Sequence, residues 1–138
     1  MSAKDVIHDA VRNALIKDGW TITHDPYTIE YEGKYLYADL AAERTLAAER
    51  NGEKIIVEIK SFVGQSIIQD FKEMLGHYVL YLPLLAETAS DYKLFVAVDS
   101  ATYDNDFQHP VIRLSLTQTH VPLIVIETDK EEVVEWIK

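Results

Sequence analysis

The sequence predicts an α/β protein, a mixed β-sheet flanked by helices on both faces. Three observations carry that expectation. Apolar residues recur at helical spacing in three stretches, near residues 3–18, 65–86 and 110–119. Short apolar runs lie between and after them, notably Lys54–Lys60, Leu94–Val98 and Leu123–Glu127. Those runs are apolar on both faces, which a sheet tolerates when helices cover both. At 138 residues the chain fits a single domain, 1–138, with one hydrophobic core.

The first helix rests on Ile7, Ala10, Val11, Ala14 and Leu15, which make one apolar stripe at steps of three and four. Ser2 with Asp5 resembles a capping box, and Gly19 is placed to stop the helix. Trp20–His24 alternates weakly and meets the turn signal Asp25-Pro26. A short strand follows at Tyr27–Tyr31, before a turn at Glu32-Gly33-Lys34.

Residues 36–43 read as one strand, with Leu36, Ala38, Leu40 and Ala42 facing one way and Tyr37, Asp39 and Glu43 the other. Thr45–Glu49 then leads to Asn51-Gly52, the strongest short-range signal for a tight hairpin. The next strand, Lys54–Lys60, puts Ile55, Val57 and Ile59 on one face and Ile56, Glu58 and Lys60 on the other.

Gly64 separates that strand from the long helical pattern of Gln65 to about Ala86. Its expected apolar side is Ile67, Ile68, Phe71, Leu75, Tyr78, Val79 and Leu82, and Pro83 should kink or end it. Leu94–Val98 is a buried strand, and Asp99–Asp106 an acidic loop without calcium-loop spacing. Pro110 sits at a favoured first-turn position of a helix reaching Thr119. Leu123–Glu127 is a further strand, and 131–138 reads as a strand paired with it through Thr128–Lys130. The order is helix, meander with a hairpin, helix, strand, helix, strand.

Composition narrows the function. Hydrophobic residues are 48% and charged residues 26%, ordinary for a soluble globular protein. No apolar run reaches the roughly 20 residues of a membrane-spanning helix, and the charged N-terminus is no secretory signal. The expectation is a cytoplasmic protein with no membrane association. Cysteine is absent, which removes disulfides and thiolate metal sites. The net charge of −10 argues against a broad basic surface for nucleic acid. Residues 63–138 carry most of it, 5 Lys+Arg against 12 Asp+Glu. A bound divalent cation can still supply positive charge locally, so nucleic-acid chemistry stays open.

Glu58-Ile59-Lys60 sends a carboxylate and an ammonium from the same strand face. The triplet alone is weak, since twelve Glu and nine Lys predict roughly 0.8 by chance, and Glu32-Gly33-Lys34 is a second instance. Context distinguishes Glu58 and Lys60: they end an apolar strand, follow an Asn-Gly signal and are preceded by Asp39. Two carboxylates can hold Mg²⁺ or Mn²⁺ with waters completing the shell, and the Ile59 carbonyl, between Glu58 and Lys60, is a further potential ligand. Metal-activated water and a neighbouring lysine are what phosphodiester hydrolysis requires. The plain alternative is a solvated Glu58/Lys60 strand pair and ordinary surface alternation at Asp39. Glu43 and Glu49 are rival carboxylates. His8, His24, His77, His109 and His120 lack metal-ligand spacing, and Tyr78 and Tyr81 read as core.

The segments Asp39–Glu43 and Ile55–Phe62 resemble the PD-(D/E)XK (restriction-endonuclease-like) core of resolvase- and restriction-type nucleases. More closely, Lys4–Pro26, the central segments and Pro122–Lys138 are similar to XisH, the fdxN-element excision controlling factor family of cyanobacteria. The resemblance implies a role in programmed DNA excision, assisting a site-specific recombinase, with DNA and a small XisI companion as partners. It implies Asp39 and Glu58 as metal ligands and Lys60 as catalytic lysine. Ala38 stands where proline gives the core its name, and His77 stands at the glutamine of a Gln-x-x-x-Tyr pattern ending at Tyr81. The leading expectation is therefore an endonuclease-like factor acting on DNA, possessing two-fold symmetry as a homodimer. The rival is a non-catalytic regulator that keeps the scaffold.

Overall fold

A computed structural model of the protein describes residues 3–44 and 52–138. The first helix, α1 (Ala3–Lys17), buries the expected stripe of Ile7, Ala10, Val11, Ala14 and Leu15. Gly19, at φ 92°, turns the chain out of it, and His8 and Arg12 bind Asp25, fastening the helix to the next turn. Ser2, the expected cap, lies outside the described residues.

Strands β1 (Thr21–His24), β2 (Tyr27–Tyr31), β3 (Lys34–Ala38), β4 (Leu40–Arg44) and β5 (Glu53–Ile59) follow. The span 36–43 is thus not one strand. It breaks at Asp39: β3 pairs with β2 in a two-stranded sheet, while β4 joins the main sheet between β1 and β5. The break shifts the side-chain phase by one residue. Leu40 and Ala42 pack under α1, whereas Ala38 and Ala41 face the opposite layer. Strict alternation could not show this, because all four are small or apolar.

The strands β4 and β5 pair antiparallel as expected, but Arg44 faces Glu53. Eight residues, 45–52, therefore separate the partners, and a two-residue Asn51-Gly52 connection does not fit that register. Residues 45–51 lie outside the described ones. A tight turn lies at the expected Glu32-Gly33, between the paired Tyr31 and Lys34. Both turn residues have positive φ, 48° and 79°, the primed geometry that matches strand twist.

After β5 come α2 (Ile67–Thr88), β6 (Lys93–Asp99), the short α3 (Ser100–Asp104), a 3-10 turn (Asp106–Gln108), α4 (Pro110–Thr119), β7 (Leu123–Glu127) and β8 (Glu132–Ile137). The main sheet has the order β1-β4-β5-β6-β7-β8, with β5, β6 and β7 parallel and the others antiparallel. The expected β7–β8 pairing is present, and α4 has its expected bounds. The stretch read as an acidic loop holds α3 and the 3-10 turn, because Asp99 caps Ala101 N–H and Phe107 is driven into the core.

Helix α1 covers one face over Val57, Phe95 and Ile124. Helices α2 and α4 cover the other over Ile56, Val96 and Leu123. The face of α2 differs from the expected one: Phe71, Met74, Tyr81 and Leu85 are buried, while Ile67, Ile68, Val79 and Leu82 are exposed. Apolar residues occur around most of α2, so periodicity leaves its inward side ambiguous. Pro83 does not end the helix, which runs on to Thr88. The carbonyl that loses its helical donor is that of exposed Val79, where water can replace it. No helix among the described residues is long and apolar enough to cross a membrane.

Candidate functional site

The break between β3 and β4 places Asp39 at the end of β5. Its carboxylate accepts a hydrogen bond from the Ile59 N–H at 2.7 Å. An extended residue sends its N–H and C=O to the same side, so the Ile59 carbonyl belongs to the Asp39 side of the strand. One residue earlier, Glu58 is almost enclosed, at 6% exposure. The Asp39 carboxyl is close enough to disfavour ionisation of Glu58. Burial first, then the Asp39 carboxyl, push the Glu58 carboxyl up to about 9.

The ammonium of Lys60 does not lie against these carboxylates. It binds Glu73 at 2.7 Å and stands 3.7 Å from Asp70, both on α2. The lysine in turn holds the Glu73 carboxyl below the usual range. Asp70 is itself buried and accepts from the Gly64 N–H at 3.0 Å. A Cβ on Gly64 would lie 2.8 Å from an Asp70 oxygen, so this contact needs glycine.

Further along α2, His77 Nδ1 lies 2.7 Å from Glu58 Oε2. The His77 ring stacks on Tyr81 at 5.7 Å, and the Tyr81 hydroxyl donates to the Tyr37 carbonyl at 3.1 Å. Burial and the charges of Glu58 and Asp39 push the Tyr81 hydroxyl up to about 12, so it remains a donor. Glu43, the rival carboxylate, is exposed and faces Lys54 farther along β4. Glu49 lies outside the described residues. Among those described, no three His, Cys, Asp or Glu side chains gather to cage a metal unaided.

The sequence matches the XisH protein family over residues 1–134. The chain belongs to the XisH family. Two solved relatives are similar along nearly the whole chain. An XisH family protein from Nostoc punctiforme PCC 73102 is 36% identical, with TM-score 0.88, covering 97% of this chain and 100% of that one. An fdxN element excision controlling factor protein from Anabaena variabilis is 38% identical, with TM-score 0.86, covering 97% and 99% respectively. No curated protein matches the sequence.

In this XisH chain the site thus brings together Asp39, Glu58 and the Ile59 backbone, with Lys60 turned toward α2. Sequence reasoning missed Asp70 and Glu73, and it set His77 apart only through the resemblance, at the glutamine of the Gln-x-x-x-Tyr pattern, while its spacing gave no metal-ligand signal. Their spacing of three and four residues was the available signal, since it sets all three on one helix face beside the end of β5. Tyr81 lies in the core as expected and carries a polar contact as well.

Proposed function

We propose that this XisH protein is an endonuclease-like factor of DNA excision, built on a PD-(D/E)XK core and using Mg²⁺ or Mn²⁺ to hydrolyse phosphodiesters. The observation that carries the reading is the meeting of Asp39 and Glu58, from separate segments, at one partly wet point with the Ile59 carbonyl alongside. That donor set fits a hard cation, which takes few protein oxygens and completes its shell with water. Lys60 is turned to Glu73 and forms no ion pair with either carboxyl, so the oxygens are left available to a cation. Bound there, the metal supplies an acidified water and stabilises charge on phosphate oxygens.

The chain's own residues do the rest. Asp39 and Glu58 bind, and Ile59 N–H orients Asp39. Glu58 would have to be ionised to hold the cation. Lys60, released from Glu73, supplies a positive charge to the attacked phosphate. The relative from Anabaena variabilis is named an excision controlling factor, which supports placing the chemistry in DNA excision. DNA, a XisI-type companion and, indirectly, a site-specific recombinase are the proposed partners.

A second reading is a non-catalytic regulator on the same scaffold, favoured by the net charge of −10 and by the Lys60–Glu73 ion pair. One experiment separates them. Purified protein, with and without its companion, is incubated with supercoiled and branched DNA in millimolar Mg²⁺. The nuclease reading expects nicking or cutting that Lys60→Ala abolishes while the fold persists by circular dichroism. Absence of cutting on every substrate, or equal cutting by Lys60→Ala, rejects it in favour of the regulator.

A further inference from the structure

The Asp39 carboxylate meets β5 at the Ile59 N–H, one residue past Glu58, so a metal site built from the two needs side chains from separate strands held at a fixed spacing. Neither residue is anchored by the main sheet alone. Asp39 sits in the break between two sheets, and Glu58 projects from β5 toward α2. Both lie next to contacts made by one face of that helix. His77 reaches Glu58 Oε2 at 2.7 Å, and Tyr81, one turn on, reaches the Tyr37 carbonyl at 3.1 Å. Tyr37 precedes Asp39 by two residues, in the strand that ends at the break. The two rings stack at 5.7 Å with an interplanar angle of 19°, so each limits the other's rotation.

We propose that His77 and Tyr81 form a clamp on α2 that sets the spacing of the two metal-binding carboxylates, His77 by holding Glu58 and Tyr81 by fastening the Asp39 bend. They are positioning residues: neither contacts the cation. The inference rests on the metal site proposed above and assigns it a supporting layer. Tyr81 is 7% exposed and its hydroxyl reaches a strand of the small sheet, so its bond fixes that sheet relative to the helix. His77 is half-exposed, so its removal leaves the core intact. Partners of this kind raise metal affinity by preorganising the ligands, and losing one typically weakens binding by about 10–100-fold.

The test is Mn²⁺ binding to the whole protein, followed by electron paramagnetic resonance, which needs no activity. His77→Ala is expected to weaken Mn²⁺ about 10–100-fold. His77→Asn, whose amide nitrogen occupies the position of Nδ1, is expected to stay within a few-fold of the unsubstituted protein. Tyr81→Phe, which keeps the ring and removes the hydroxyl, is expected to weaken binding several-fold with a melting temperature that confirms folding. Unchanged affinity in His77→Ala and Tyr81→Phe overturns the clamp while leaving the metal site standing. Equal loss in His77→Asn and His77→Ala also overturns it, since ring packing rather than the hydrogen bond would then be responsible. Absence of Mn²⁺ binding by the unsubstituted protein removes the metal reading, and the clamp falls with it.

Discussion

Glu58 is the residue whose chemistry is most altered by the fold. In an unfolded chain its carboxyl titrates near 4.5, and in the folded protein near 9. A folded value above the unfolded one means that the proton stabilises the native state. That contribution is complete below about pH 4.5 and is lost as pH rises through 9. Glu58→Gln keeps the shape and cannot ionise. Metal-free, it should melt at least several degrees above the unsubstituted protein at pH 8, with the gap closing toward pH 5. Calorimetry across that range checks this, and a pH-independent gap would contradict it. With metal the sign reverses: Mg²⁺ or Mn²⁺ should raise the melting temperature more at pH 8 than at pH 6, and Glu58→Ala should abolish the rise.

Gly33 and Pro83 show how elements depend on local chemistry. Gly33, at φ 79°, is the second residue of a primed turn with open space where a Cβ would point. Gly33→Ala therefore suffers backbone strain without collision and should cost about 1 kcal/mol, read as a lowered urea midpoint. Pro83 lies inside α2 and removes one backbone bond on its exposed side. Elements with one dominant signal were legible in the sequence: α1 from its stripe, α4 from Pro110, β5 and β7 from dense apolar runs. Elements carrying two competing signals were not. Residues 36–43 alternate well enough for one strand, yet the bend at Asp39 is set by pairing with two different sheets. The same limit applied to the site. Asp39, Glu58 and Lys60 stood out because unlike charges interrupt an apolar pattern; the structure brings Asp39 to the end of β5 beside Glu58 but turns Lys60 to Glu73. Asp70, Glu73 and His77 sit on a helix face that reads like any solvated face until β5 is packed beside it.

At the scale of the molecule, the net charge of −10 is set against few paired cations. Arg12, Arg44, Lys54 and Lys60 are each tied to a carboxylate. The remaining acidic excess repels itself, and repulsion between exposed charges falls once the screening length nears 10 Å at about 0.1 M salt. Stability should therefore rise with sodium chloride up to about that concentration in metal-free protein, and a flat or falling melting temperature would contradict this. The sheet is less exposed to such effects. Trp20, just ahead of edge strand β1, meets Trp136 of the opposite edge strand at 5.6 Å, beneath α1.

The division of the chain at Asp39 has a mechanical meaning. Two short connections join the outlying hairpin of β2 and β3 to the large sheet, Asp25-Pro26 from β1 and Asp39 to β4, and the second is a single residue that carries a carboxylate. A partner that gripped the hairpin from outside would pull on Asp39, whose carboxylate holds the Ile59 N–H. Given the proposed cation site, touch at a distance would then alter geometry where the ion is gripped.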